Sequence, residues 1–327
     1  PRASGRSLVR FFEQWIYKPG YPSLKASFSY DAKKKKGTFE IEQTQVDAKT
    51  GVEAFELSLA LGWTVDGQEH RQSIKLDKAN HTFVIAMDEP QMVRVDPDGH
   101  VLHKLSFNPG DDKLRQQLTD APDVVGRILA AQELAKTGRV ANLEAVAEAY
   151  AKESFWGVRV KMAQALAKAE TEASIGILAG FIESEQDHMV LPTLMGLARK
   201  FRDARIAQAV EGRIRAGVPP RSAMMGYEAL GAQRSAAPVA LLTDAAAQEG
   251  FNGVAQSGAL RGLAMTRQSE VLSTLMELSG YGATSNRARP AAATALGILG
   301  RSLDEHRRQP IIERLIDLLR DPVDRVQ

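Results

Sequence analysis

Six histidines and no cysteine set the limits on metal or nucleophilic chemistry in this chain of 327 residues. A zinc hydrolase needs two imidazoles one helical turn apart and a carboxylate placed to activate water, the arrangement His-Glu-x-x-His supplies. None of His70, His81, His100, His103, His188 and His306 begins such a motif. His100 and His103 come nearest, but they lead across a turn into a strand, where positions three apart point to opposite faces. An ordinary surface role is therefore expected of both. Glu69-His70 and Glu305-His306 have no second histidine at ligand spacing, and Arg307 and Arg308 would repel a cation beside His306. Without cysteine there is no disulfide framework, thiol nucleophile or thiolate metal site. A Gly-x-Ser-x-Gly elbow, a phosphate loop ending in Gly-Lys-Ser/Thr and a Gly-x-Gly-x-x-Gly turn are also missing. No catalytic residue, no metal ligand and no cofactor site is assigned within the chain.

Charge excludes further classes. There are 42 basic and 40 acidic side chains, a net charge of +2. Residues 1–110 carry 15 and 14 of them and the remainder 27 and 26, so neither part is the basic domain that sequence-independent nucleic-acid binding requires. No run approaches 18 apolar residues, so no membrane partner is expected either. The chain reads as soluble, and its lack of cysteine is compatible with a cytoplasmic or an exported location.

The elements that could position functional groups change character along the chain. Leu8, Phe11, Phe12, Trp15 and Ile16 fall at helical spacing over residues 7–17, giving a short helix with a large aromatic stripe. Pro19-Gly20-Tyr21-Pro22 ends it. So short a helix is marginal alone, and the stripe is expected to be a contact surface, such that deleting residues 1–18 leaves the melting temperature nearly unchanged. From Leu24 the period becomes two, and seven strands are expected, beginning near Leu24, Thr38, Phe55, Glu69, Thr82, Met92 and Val101. Lys33 to Lys36 form a solvated turn, with further turns at Asp66-Gly67 and Asp98-Gly99. Seven short strands fit a small two-sheet sandwich.

Asn108-Pro109-Gly110 marks the next boundary, followed by helices over about 124–137 and 142–152, with Asp120 or Asp123 as caps. Beyond them Leu166, Leu197, Leu230, Leu263 and Leu296, each beside small residues, recur at spacings of 31, 33, 33 and 33. That regularity predicts stacked helical hairpins over 153–184, 185–216, 217–248, 249–281 and 282–320. The small residues permit close helix approach, a role extended to Gly297 and Gly300. Arg301 to Pro310 reads as an extended polar connection. The opening residues 1–7 lack an initiator Met, and residues 321–327 look like the start of another unit, so a chain cut at both ends is expected.

Phe12, Trp15, Gly20 and Pro22 form a Phe-x-x-Trp-x-x-x-x-Gly-x-Pro pattern. With Leu24-Lys-Ala-Ser-Phe-Ser-Tyr30, Phe39-Glu-Ile-Glu-Gln-Thr-Gln45 and the Val95-Asp-Pro-Asp-Gly99 turn, it resembles the junction after the catalytic domain of M1 family (gluzincin) aminopeptidases. The resemblance covers about residues 7–107, with Tyr21 where a histidine is frequent. The later repeats resemble HEAT repeats, which follow the sandwich in some relatives. The resemblance implies a multidomain β + α chain: residues 1–21 end an upstream catalytic-type domain, 22–110 form a β-sandwich, and 111–327 form a HEAT-like α-solenoid, an α-α superhelix. It further implies a non-catalytic portion of a zinc aminopeptidase that shapes the substrate cleft and limits access, with zinc in the absent catalytic domain. The implied partners are that upstream domain and a peptide substrate or protein along the solenoid. The alternative is a protein-interaction scaffold from an inactive relative.

Overall fold

Polar turn chemistry separates the strands of the amino-terminal region in a computed structural model that describes residues 7–47, 49–323 and 326. Among these residues seven strands occur: β1 (Ser23–Asp31), β2 (Lys36–Gln43), β3 (Leu57–Val65), β4 (Gln68–Leu76), β5 (Asn80–Ala86), β6 (Met92–Val95) and β7 (Lys104–Phe107). The Asp31 carboxylate accepts the backbone N–H groups of Lys33 and Lys34 at 3.0 and 3.1 Å, so the lysine run is the turn between β1 and β2. Asp66 and Gly67, at φ 49° and 75°, make the two-residue turn whose twist suits the β3–β4 hairpin.

One four-stranded sheet has the order β5-β2-β1-β7, with β1 and β7 parallel; a three-stranded antiparallel sheet has the order β4-β3-β6. Alternation decides which faces meet. Leu24, Phe39 and Ile41 from the first sheet and Leu57, Leu59, Leu61, Ile74 and Leu76 from the second share one apolar core, while Glu40 and Glu42 stay exposed. Each such side chain contributes roughly 2 kcal/mol through removal of apolar area from water.

Ahead of the strands, α1 (Val9–Phe12) runs into a wider turn, Glu13–Tyr17, closed by the Lys18 N–H on the Glu13 carbonyl at 3.0 Å. After them come α2 (Asp111–Asp120), α3 (Val124–Lys136) and α4 (Val140–Lys152). The sequence reading passed over α2. Its apolar stripe is only Leu114 and Leu118, and the third buried position is the polar Gln117, whose amide donates to the Gly126 carbonyl at 2.8 Å. Asp123 caps α3 by accepting the Gly126 N–H at 2.7 Å, and its other oxygen lies 2.6 Å from the Arg94 guanidinium of β6. Arg94 is buried and also donates to the Pro97 carbonyl at 2.8 Å, so it binds the sheet to α3. The chain accordingly divides into compact units at residues 1–149 and 150–327, with α2 and α3 grouped with the strands.

The second unit contains α5 (Trp156–Ala169), α6 (Glu172–Ser184), α7 (Leu191–Ala198), α8 (Ala204–Ala216), α9 (Pro220–Ala232), α10 (Val239–Ala247), α11 (Val254–Met265), α12 (Val271–Leu278), α13 (Arg289–Gly300) and α14 (Glu305–Leu318). One pair falls in each of the five expected intervals. First helices contact one another in sequence, α5 with α7, α7 with α9, α9 with α11 and α11 with α13. Burial in α11 repeats in α13 at an offset of 33: Gly258 and Ala291, Ala259 and Ala292, Gly262 and Ala295, Leu263 and Leu296 are all buried.

Three sequence-based details are corrected. Leu166, Leu230, Leu263 and Leu296 are buried, but Leu197 is only half-buried, because α7 is offset from α9 by 32 residues and Ala198 takes the position of Leu230. Gly297 meets nothing within 4 Å of an added methyl carbon; the close approach lies between α9 and α11, where such a carbon on Gly231 would sit 2.1 Å from the Gly262 carbonyl oxygen. The connection after α13 is short, since Asp304 caps α14 through the Arg307 N–H at 2.9 Å and Pro310 lies inside that helix. Residues 1–6 and part of the expected further unit at 321–327 lie outside the described residues. Among the described residues no helix is long and apolar enough to cross a membrane.

Candidate functional site: a junction helix and a column of arginines

The structure divides the five residues of the amino-terminal stripe. Trp15 turns onto the apolar core shared by the sheets, its ring centroid 5.2 Å from that of Phe55. Gln14 beside it is buried and acts like one residue of an extra strand: its amide donates to the Glu56 carbonyl at 2.6 Å and accepts the Glu56 N–H at 2.9 Å. Arg10 reaches Glu56 at 3.0 Å and Lys18 reaches Glu53 at 2.6 Å. The wide turn over Glu13–Tyr17 allows Gln14 and Trp15 to face the same neighbour. Leu8, Phe11, Phe12 and Ile16 stay exposed, between 43% and 62%. Beside them a groove of about 830 Å³ is lined by Arg10, Phe11, Trp15, Lys75 and Leu102. Gly20, at φ 95°, supplies the left-handed turn out of the helix, and Pro22 is buried where its carbonyl accepts the Lys104 N–H at 2.9 Å and opens the β1–β7 pairing.

The Val95-to-Gly99 turn has an internal brace. Asp96, at φ 48° and nearly buried, accepts the N–H groups of His100 and Val101 at 3.3 and 3.1 Å. The His103 ring lies 3.7 Å from the same carboxylate and 2.7 Å from the Val101 carbonyl, with its side chain 8% exposed. His103 is thus part of the loop's support and not a surface residue as expected; His100 is exposed. Among the described residues no group of three or more His, Cys, Asp and Glu is placed to hold a metal ion.

A second feature escaped the sequence reading. Arg202, Arg234, Arg267 and Arg301 follow the ends of α7, α9, α11 and α13, each one hairpin beyond the last. All four are exposed, and with Arg199, Lys200, Ala232, Met265 and Ile298 they line a groove of about 570 Å³. Arg199 is engaged by Glu228 at 2.7 Å, a carboxylate that also holds Arg261 at 2.6 Å. The pKa of Asp203, next to Arg202, is lowered by its bond to Arg205. None of the four column arginines has a side-chain hydrogen bond or ion pair among the described residues. Loss of hydration, then repulsion from Arg202 and Arg267, lowers the pKa of Arg234. Their spacings of 32, 33 and 34 follow the helical repeat, a regularity that the balanced charge totals do not reveal.

No protein-family model matches the chain, and no curated protein is significantly similar to it.

Proposed function

We propose that this chain is the non-catalytic carboxy-terminal portion of an M1-like zinc aminopeptidase. In this reading residues 7–21 end the zinc domain, the two sheets form the β-sandwich spacer, and α5 to α14 form a HEAT-like solenoid that shapes the substrate cleft and limits access to it. The observation that carries the reading is the junction. The Trp15 and Gln14 of the Phe12-x-x-Trp15 motif are locked to the β-region, while Leu8, Phe11, Phe12 and Ile16 present an uncovered apolar face beside a groove. A face of that kind suits burial against a domain ahead of it in the same polypeptide. When bound in that domain, zinc supplies an activated water for attack on the amino-terminal peptide bond. This chain supplies position and shape, and no bond-making group.

The arginine column favours a second reading, a scaffold from a relative whose zinc site has decayed. One experiment separates them: hydrolysis of aminoacyl amides by the full-length gene product, with and without chelator, alongside the sequence encoded upstream. Chelator-sensitive hydrolysis with an intact His-Glu-x-x-His supports the first reading. No hydrolysis of any aminoacyl amide, with that motif eroded, rejects it in favour of the scaffold.

A further inference from the structure

We infer that the column Arg202, Arg234, Arg267 and Arg301 is a binding site for an extended acidic peptide segment of a partner protein, running along the stacked hairpins with one carboxylate for each arginine. The inference stands apart from the aminopeptidase reading, since it rests only on the second unit.

Geometry is the first support. The helices preceding the four arginines contact one another in series. Helices packed at 8–10 Å set successive arginines about 8–10 Å apart, and an extended chain rises about 3.3 Å per residue. Carboxylates at every third residue therefore keep step with the column, and about ten residues cover it. Ala232, Met265 and Ile298, all half-buried, line the groove with the arginines, and its volume of about 570 Å³ leaves room for the intervening backbone. It contains no aromatic side chain on which bases could stack, which disfavours single-stranded nucleic acid.

Backbone conformation is the second support. Arg234 and Arg267 sit two residues beyond their helices at φ 56° and 60°. This left-handed position ordinarily takes glycine, because a Cβ is strained there. Two consecutive hairpins accept that strain and also bear mutual repulsion between unpaired cations, so folding does not account for the choice of arginine. An anionic ligand would relieve the repulsion. In the hairpin before Arg202 the equivalent left-handed position is Glu170, at φ 51°, which ends the column and gives it a polarity.

The test is fluorescence anisotropy on the whole chain with a labelled synthetic peptide of serine and glutamate, one glutamate at every third position. Saturable binding is expected below about 100 µM, weakening several-fold as salt rises from about 0.05 to 0.2 M. Arg234→Gly and Arg267→Gly should each weaken it about two- to fivefold, the range of an exposed ion pair, and together about tenfold. Because glycine suits the left-handed position, both variants should melt at or above the parent temperature, which separates lost binding from lost structure. Four outcomes would overturn the inference: no saturation, unchanged affinity in the double variant, equal affinity for an isomer with contiguous glutamates, or tighter binding of a thymidine oligonucleotide of equal charge.

Discussion

Replacing Gly231 with alanine tests the packing on which the helical region depends. The added methyl carbon would sit 2.1 Å from the Gly262 carbonyl oxygen and 2.7 Å from its carbon atoms. An ordinary carbon–oxygen contact is about 3.3 Å, so α9 and α11 must part by about 1.2 Å at that point. Neither partner can swing aside, because both are backbone. The same two helices touch again where a carbon on Gly258 would meet Met224 backbone at 2.5 Å, and one on Gly262 would meet the Tyr227 carbonyl at 2.5 Å. Parting them by that much forfeits a quarter to half of the dispersion energy of each contact along the seam. Overpacking of this sort costs about 3 kcal/mol, against a gain of about 1 kcal/mol from exchanging a helical glycine for alanine. A net loss of about 2 kcal/mol lowers the melting temperature of a unit this size by roughly 4–8 °C. Gly297→Ala is the control: it lies inside α13 with nothing within 4 Å, so the helical preference acts alone and stabilises by up to about 1 kcal/mol. Urea and thermal unfolding of the second unit, followed by circular dichroism, read both. Equal shifts of the same sign would refute the claim that α9 and α11 meet backbone to backbone.

Trp15→Ala should destabilise the first unit by about 2–3 kcal/mol and Gln14→Ala by about 2 kcal/mol, through lost core contact and unpaired Glu56 backbone groups, so deleting residues 1–18 should lower the melting temperature, contrary to the expectation from spacing alone; Phe11→Ser and Ile16→Ser should stay within about 0.5 kcal/mol in urea titrations. Arg289 is fully buried, 2.6 Å from the equally buried Asp321 and 4.9 Å from the Tyr281 ring centroid. Arg289→Met, which removes the guanidinium from a buried carboxylate still held by the Val323 N–H at 2.8 Å, should cost about 3 kcal/mol, and Arg289→Met with Asp321→Leu should recover part of the loss. Burial, then donation to Glu185, holds the Tyr150 phenol neutral well above its ordinary value of 10.0. The unfolded phenol ionises near that value, so stability falls as pH rises above 10, and Tyr150→Phe should flatten that alkaline limb. Asp111 is shifted the other way, first by the Asn142 amide and then by Arg139. Its contribution is present above pH 3.8 and is lost as pH falls through the lower folded value, so Asp111→Asn should reduce the acid dependence of unfolding.

Local chemistry made most of the elements legible. Asp66-Gly67 named its hairpin, the alternation of Phe39 and Ile41 with Glu40 and Glu42 named a strand and its buried face, and of the two candidate caps Asp120 and Asp123 the second caps α3. What escaped depends on contacts between elements. Helix α2 buries the polar Gln117, which no hydrophobic period reveals. Trp15 and Ile16 share a stripe by spacing, yet a widened turn and the Gln14 bonds to Glu56 send one onto the core and leave the other outside. Leu197 precedes Leu230 by 33 residues, but the buried Leu191, Leu194 and Ala198 of α7 precede the buried Ala223, Gly226 and Leu230 of α9 by 32, so Leu197 falls one position off the buried phase.

The arginine column shows why a balanced charge count says little about where charges gather. Spacings of 32, 33 and 34 residues, on helices that contact one another in series, bring four side chains far apart in the chain to one groove. Acids on the same hairpins restore neutrality and are taken up by other cations: Glu228 by Arg199 and Arg261, Asp203 by Arg205 and Asp304 by Arg307. The field near the groove is then set by the column and not by the net charge of +2. Reversing one unpaired arginine, as in Arg267→Glu, changes the total by only two charges but interrupts the line at its centre, whereas Arg215→Glu, on the exposed end of α8, changes the total identically and leaves the line intact. If the line is what an acidic segment reads, the first substitution weakens binding and the second does not; equal effects of the two would mean that only the total matters.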